Sequence, residues 1–248
     1  MLINLIWRQI MAGLIGVGVN TATVIIGSFF GLIFKKGIPE RFRDGLMKGI
    51  GLCTIYIGIS GTLQGSNTIV LILSMVIGIL IGTLIDIDKR FNSVSLKIEN
   101  KFKKDNNETG SFAKGFVTAC LVFCIGSMTI VGSLEAGLNG DNKMIFIKSI
   151  LDLISSFVLA SSLGFGVMAS AVFVLLFQGA IVLLSSAVSP LLTQEVINEM
   201  VCVGSLLIFA LGLDLTGIIK LKVMNYLPAV FVPVALVPLY NWISSLIK

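Results

Sequence analysis

Several uninterrupted apolar stretches in this chain approach or exceed the roughly 20 residues that cross the hydrocarbon of a bilayer as an α-helix. Their 3.6-residue periodicity is weak, as expected where lipid faces most of each helix. With 56% of its 248 residues apolar, only 12% charged and a mean hydropathy of +1.01, the chain carries far more apolar surface than a water-soluble core can use. It reads as an all-α polytopic transmembrane helical bundle, a single integral membrane domain over residues 1–248.

The opening "MLINLIWRQIMAGLIGVGVN" has the look of a secretory signal, but the apolar region continues to Phe34 with no small-residue cleavage site. A retained first span is expected, with Met11 as an alternative start. Eight spans follow from the apolar runs, at about 13–34, 45–64, 67–85, 113–135, 144–163, 165–188, 200–218 and 225–246. Pro228, Pro233 and Pro238 predict a kinked or partly re-entrant last span.

Basic residues orient the bundle. Fourteen of the eighteen fall in the connections after the first, third and seventh spans, which leaves Arg8, Lys143, Lys148 and Lys248 for the other side. Basic loops stay in the cytoplasm, so both termini are expected outside. The pI near 9.1 therefore points to the anionic face of a lipid bilayer as partner, not to nucleic acid. The connection over residues 86–112 is expected to be cytoplasmic and amphipathic. Phe91, Val94, Ile98 and Phe102 share one helical face among lysines, the pattern of a helix lying in the headgroup layer.

Glycines at Gly27/Gly31, Gly45/Gly49, Gly61/Gly65 and Gly78/Gly82 have the G-x-x-x-G spacing that allows close helix approach. They predict a compact bundle, and leave a homo-oligomer open. Two internal echoes raise the question of inverted or parallel repeats. Cys53 precedes "GTLQG" and Cys124 precedes "GSLEAG" by the same eight positions, and Pro39–Ile59 aligns with Thr193–Leu213.

Against this apolar background the polar residues stand out, since an ionisable group in a span costs at least ~2.5 kcal/mol on insertion scales. Asp152 lies about eight residues into its span, with Ser149, Ser155 and Ser156 on the same face. Lys148, four residues before it, is placed to neutralise it. The companions expected for a substrate-binding site are Asn20, Gln64, Glu135 and Gln178. The ordinary alternatives are a structural ion pair, serines bonded back to their own helix, and polar residues at the headgroup level.

Enzyme chemistry is not expected. The chain has no histidine, hence no H-E-x-x-H zinc site and no Ser-His relay, and it lacks a G-x-S-x-G elbow and a Walker A loop. Cys120 and Cys124, one turn apart, have a spacing that would suit a soft metal, but without histidine they read as small buried apolar residues. No cofactor is expected and no metal ligand set is assigned. The function that fits is a transporter or permease for a small ion or polar solute, built around Asp152. The alternative is a membrane scaffold or regulator acting through residues 88–104.

The segments "KKGIPERF", "GLC", "GTLIDID", "GFVTACLVFCIGSMTIVGS", "KSILDLISSFVLASSLGFGV" and "LLFQGA" together resemble the YqgA/YdfK-like family of bacterial inner-membrane proteins, from about Asn20 to Pro233. The resemblance implies an all-helical fold in a bacterial cytoplasmic membrane and supplies neither substrate nor catalytic residue. Ser127 stands where the resemblance implies proline, which speaks against a fixed break in the fourth span.

Overall fold

The computed structural model describes residues 2–36, 40–90, 92–93 and 112–247. The described residues are helical with turns and contain no strand. The amphipathic face expected on Phe91, Val94, Ile98 and Phe102 lies outside them.

The chain builds two compact units, each from two separate segments. The first comprises Met1–Met47 and Ser95–Pro190, the second Lys48–Val94 and Leu191–Lys248. Among the described residues five helices are long and apolar enough to cross a membrane, and up to seven candidate spans result if each of two bent pairs is one span, against the eight expected.

In the first unit, α1 (Leu2–Lys36) lies against α6 (Lys143–Leu163) over much of its length. Gly27 faces the Leu153 carbonyl and Ser156, and Gly31 faces Phe157 and Ala160. Both helices therefore run in the same direction, and any side chain at Gly27 or Gly31 would meet backbone. The turn before α6 is anchored to the early part of α1, where Asn142 Nδ2 donates to the Ala12 carbonyl at 2.8 Å. From Gly164, at φ +80°, the chain turns back into α7 (Phe165–Leu183), whose Val182 lies beside Gly13.

The fourth span departs from expectation. It is two helices, α4 (Phe112–Cys124) and α5 (Ser127–Asn139), bent by 58°. The start of α4 packs on Leu163 and Gly166, near the Lys35 end of α1, while Ala136 and Gly140 of α5 reach Gly13, Ala12 and Gln9 at its other end. The pair thus traverses the unit as a broken span and is not a re-entrant hairpin. The break needs no proline. Gly126 takes an extended conformation (φ −108°, ψ 146°), and Thr129 Oγ1 bonds back across it to the Phe123 carbonyl at 2.9 Å. A four-residue turn of helix, α8 (Ser185–Val188), follows α7.

In the second unit, α2 (Glu40–Thr62) packs antiparallel to α9 (Gln194–Thr216): Gly51 meets Thr216, Gly58 meets Phe209, and Gly61 meets Ser205. α2 covers the expected second span but is not among the candidate spans, because charged residues from Glu40 to Lys48 leave an apolar part shorter than a bilayer. The helix α3 (Thr68–Ile85) buries one four-residue stripe, Val70, Ser74, Gly78 and Gly82. It lies along the 3-10 helix Val223–Phe231, with Gly78 on Ala229 and Gly82 on Asn225. α10 (Pro233–Ile247) continues from that helix at a 47° bend, the kink expected from the prolines. Of the four G-x-x-x-G pairs, Gly45/Gly49 alone has nothing within contact distance among the described residues.

Candidate functional site

The polar residues of the first unit converge on Asp152. It sits on α6, only 5% exposed, and its Oδ2 accepts from the Lys148 ammonium one turn earlier on the same helix and from Asn20 Nδ2 of α1 at 3.1 Å. Asn20 Nδ2 also donates to Gln178 Oε1 of α7 at 3.0 Å. Asn20 and Gln178 are fully buried. The first helix is therefore tied to two consecutive helices more than a hundred residues later by one polar chain, Lys148–Asp152–Asn20–Gln178.

A fourth helix touches this chain at the break. The Lys148 ammonium lies 5.9 Å from the centre of the Phe123 ring, in the last turn of α4, within the range of a cation–π attraction. Beyond the break α5 begins after Gly126, which gives it no side-chain cap. An uncapped helix start offers unpaired N–H groups and the positive end of the helix dipole.

Two atoms of the cluster lack hydrogen-bond partners among the described residues, Asn20 Oδ1 and Gln178 Nε2. One is an acceptor and the other a donor. Leaving a buried polar atom unpaired costs about 1–3 kcal/mol, so the cluster is built to hold more polar partners than it has.

The serines play another part. Ser149 and Ser156 are buried on the Asp152 face, but Ser149 Oγ donates to the Ile145 carbonyl at 2.8 Å and Ser156 Oγ to the Leu153 carbonyl at 3.0 Å. Both are satisfied on their own helix, and Ser156 forms part of the surface on which Gly27 rests. Ser155 is half-buried. Glu135 is half-buried on α5 of the same unit, whereas Gln64 is exposed in the turn after α2, in the second unit. The candidates that meet are Asp152, Asn20 and Gln178, with Lys148.

The second unit holds a buried carboxylate that the sequence reading missed. Glu199 of α9 is 1% exposed, and its Oε1 accepts from Ser66 N at 2.7 Å, Ser66 Oγ at 3.2 Å and Asn67 N at 2.9 Å. Asn67 in turn caps α3, its Oδ1 accepting from Ile69 N and Val70 N. Glu199 thus fixes the turn that starts α3, and Gly65 and Cys202 pack beside it. The signal available in sequence was an acid in the first two turns of an apolar helix, which resembles a residue at the headgroup level.

By contrast, the connection between α5 and α6 carries an ordinary surface pair. Asp141 accepts from the Lys143 backbone N–H at 2.9 Å and pairs with its ammonium at 3.4 Å. The backbone bond chiefly, then the cation, holds the Asp141 carboxyl below its usual range.

Residues 15–238 match the model of a family described as "Protein of unknown function (DUF554)". The uncharacterized membrane protein YdfK of Bacillus subtilis (strain 168) is 40% identical over 218 residues, covering 86% of this chain and 91% of that protein. The uncharacterized protein YqgA of Escherichia coli (strain K12) is 29% identical over 224 residues, 90% of this chain and 95% of its own. No solved structure matches.

Proposed function

We propose that this chain, which belongs to the DUF554 family, is a multi-pass transporter of a bacterial cytoplasmic membrane, carrying a small polar solute or ion past Asp152. The observation that supports this most is the Lys148–Asp152 pair, buried among helices of lipid-spanning length and bridged through Asn20 to Gln178 with two polar atoms left unpaired. Such a cluster is a poor stabilising device. Replacing a buried ion pair by well-packed apolar groups is often neutral, or favourable by about 1–4 kcal/mol. A site that must replace a solute's hydration has use for ions, amides and vacant hydrogen-bond positions together.

The helix break adds support. Discontinuous helices in membranes place backbone polar groups where a solute can use them, and here the break adjoins the Lys148 side chain. The test is solute uptake by proteoliposomes containing the purified protein. Asp152→Asn keeps the shape of the side chain but leaves Lys148 without its counter-ion, so uptake is read in variant protein shown to be inserted and folded, where it should fall at least tenfold; Ser156→Ala, at a hydroxyl already bonded to its own helix, should lower it less. Full uptake by Asp152→Asn would contradict the proposal.

A further inference from the structure

We infer that the solute is a small zwitterion, bearing both a cationic and an anionic group, as a free amino acid does; this rests on the transport reading above. The cluster is electrically balanced, Lys148 against Asp152, and both side chains are sealed from water. A cation arriving at Asp152 would displace the ammonium and leave Lys148 charged and unpaired. An anion arriving at Lys148 would strand Asp152 in the same way, and a single buried charge without its partner is strongly destabilising. A zwitterion exchanges charge for charge. Its carboxylate takes over Lys148 and its ammonium takes over Asp152, so no net charge is buried with or without the solute.

The unpaired atoms have the same polarity. Gln178 Nε2 is a spare donor, suited to a carboxylate, and Asn20 Oδ1 is a spare acceptor, suited to an ammonium. Asn20 is bonded to Asp152, so the spare acceptor belongs to the residue already beside the anionic half of the pair. On the cationic half, Lys148 rests on Phe123 at the break, beyond which α5 starts uncapped, a backbone arrangement that favours negative charge. A lone metal cation would have no use for Gln178 Nε2, and a simple carboxylate none for Asn20 Oδ1.

The experiment compares three sets of labelled solutes on the full-length protein in proteoliposomes. They are the protein amino acids with β-alanine; singly cationic analogues, glycinamide, ethylamine and sodium ion; and singly anionic ones, N-acetylglycine and propionate. At least one zwitterion should enter tenfold or more faster than its cationic and anionic analogues, and should raise the Tm of the detergent-purified protein where the analogues do not. Uptake or stabilisation confined to one singly charged set would overturn the zwitterion assignment and leave the transport reading standing. If no member of any set enters or raises Tm, both fall together.

Discussion

Lys148 and Asp152 carry a consequence that can be measured apart from transport. Removing either one leaves the other without its counter-ion in a closed site, which costs about 3–5 kcal/mol. Lys148→Met alone should therefore lower the Tm of the purified protein sharply, whereas Lys148→Met combined with Asp152→Leu should recover most of the loss while remaining inactive in uptake. Equal destabilisation by the single and double variants would mean that the pair is a structural unit whose geometry matters more than its charge. The pairing itself was legible from the i,i+4 spacing on one helix. That Asn20 and Gln178 join it was not, because bonds across 132 and 158 residues leave no trace in local spacing.

Among the elements, the long apolar helices were the most readable, since bilayer thickness alone sets their length. The break between α4 and α5 was hidden: Gly126 and the Thr129 back-bond make it without proline, and the expectation drawn from Ser127 pointed the other way. The N-terminus of α3 was half readable, because Asn67 before an apolar run is a recognisable cap, whereas the Glu199 carboxylate reaches the same turn from a helix more than 130 residues away. Glu199→Ala would leave Ser66 and Asn67 N–H groups without their acceptor and should cost on the order of 1–3 kcal/mol in a thermal or denaturant measurement. Glu199→Gln, which keeps an oxygen for those donors, should retain most of the stability. Equal loss in both variants would assign the stabilisation to the charge and not to the hydrogen bonds.

For the whole molecule, packing inside each unit fixes the directions of its helices. α1 and α6 run together, α4 and α5 climb back as one broken span, and α2 opposes α9. The side of the membrane each end faces is an expectation from the basic residues, whose loops stay in the cytoplasm. Reporter fusions should accordingly be active as cytoplasmic markers after residues 40 and 105 and as external markers after residue 140. An external signal after residue 105 would overturn the scheme. Each unit also contains one discontinuous helix pair, yet the first holds the Lys148–Asp152 pair while the second holds Glu199 without an ion pair among the described residues.

The central claim, that the closed Asp152 cluster opens to water during function, is tested most directly by cysteine labelling. With Cys53, Cys120, Cys124 and Cys202 replaced by serine or alanine, Ser149→Cys puts a near-isosteric thiol on the buried Asp152 face of α6. A membrane-impermeant cationic thiol reagent should label it from the outside in intact cells and from the cytoplasmic side in inverted vesicles, and the transported solute should slow both reactions. A thiol that stays unlabelled from both sides, in a variant shown to be inserted and folded, would mean that the cluster remains sealed and that Asp152 serves structure alone.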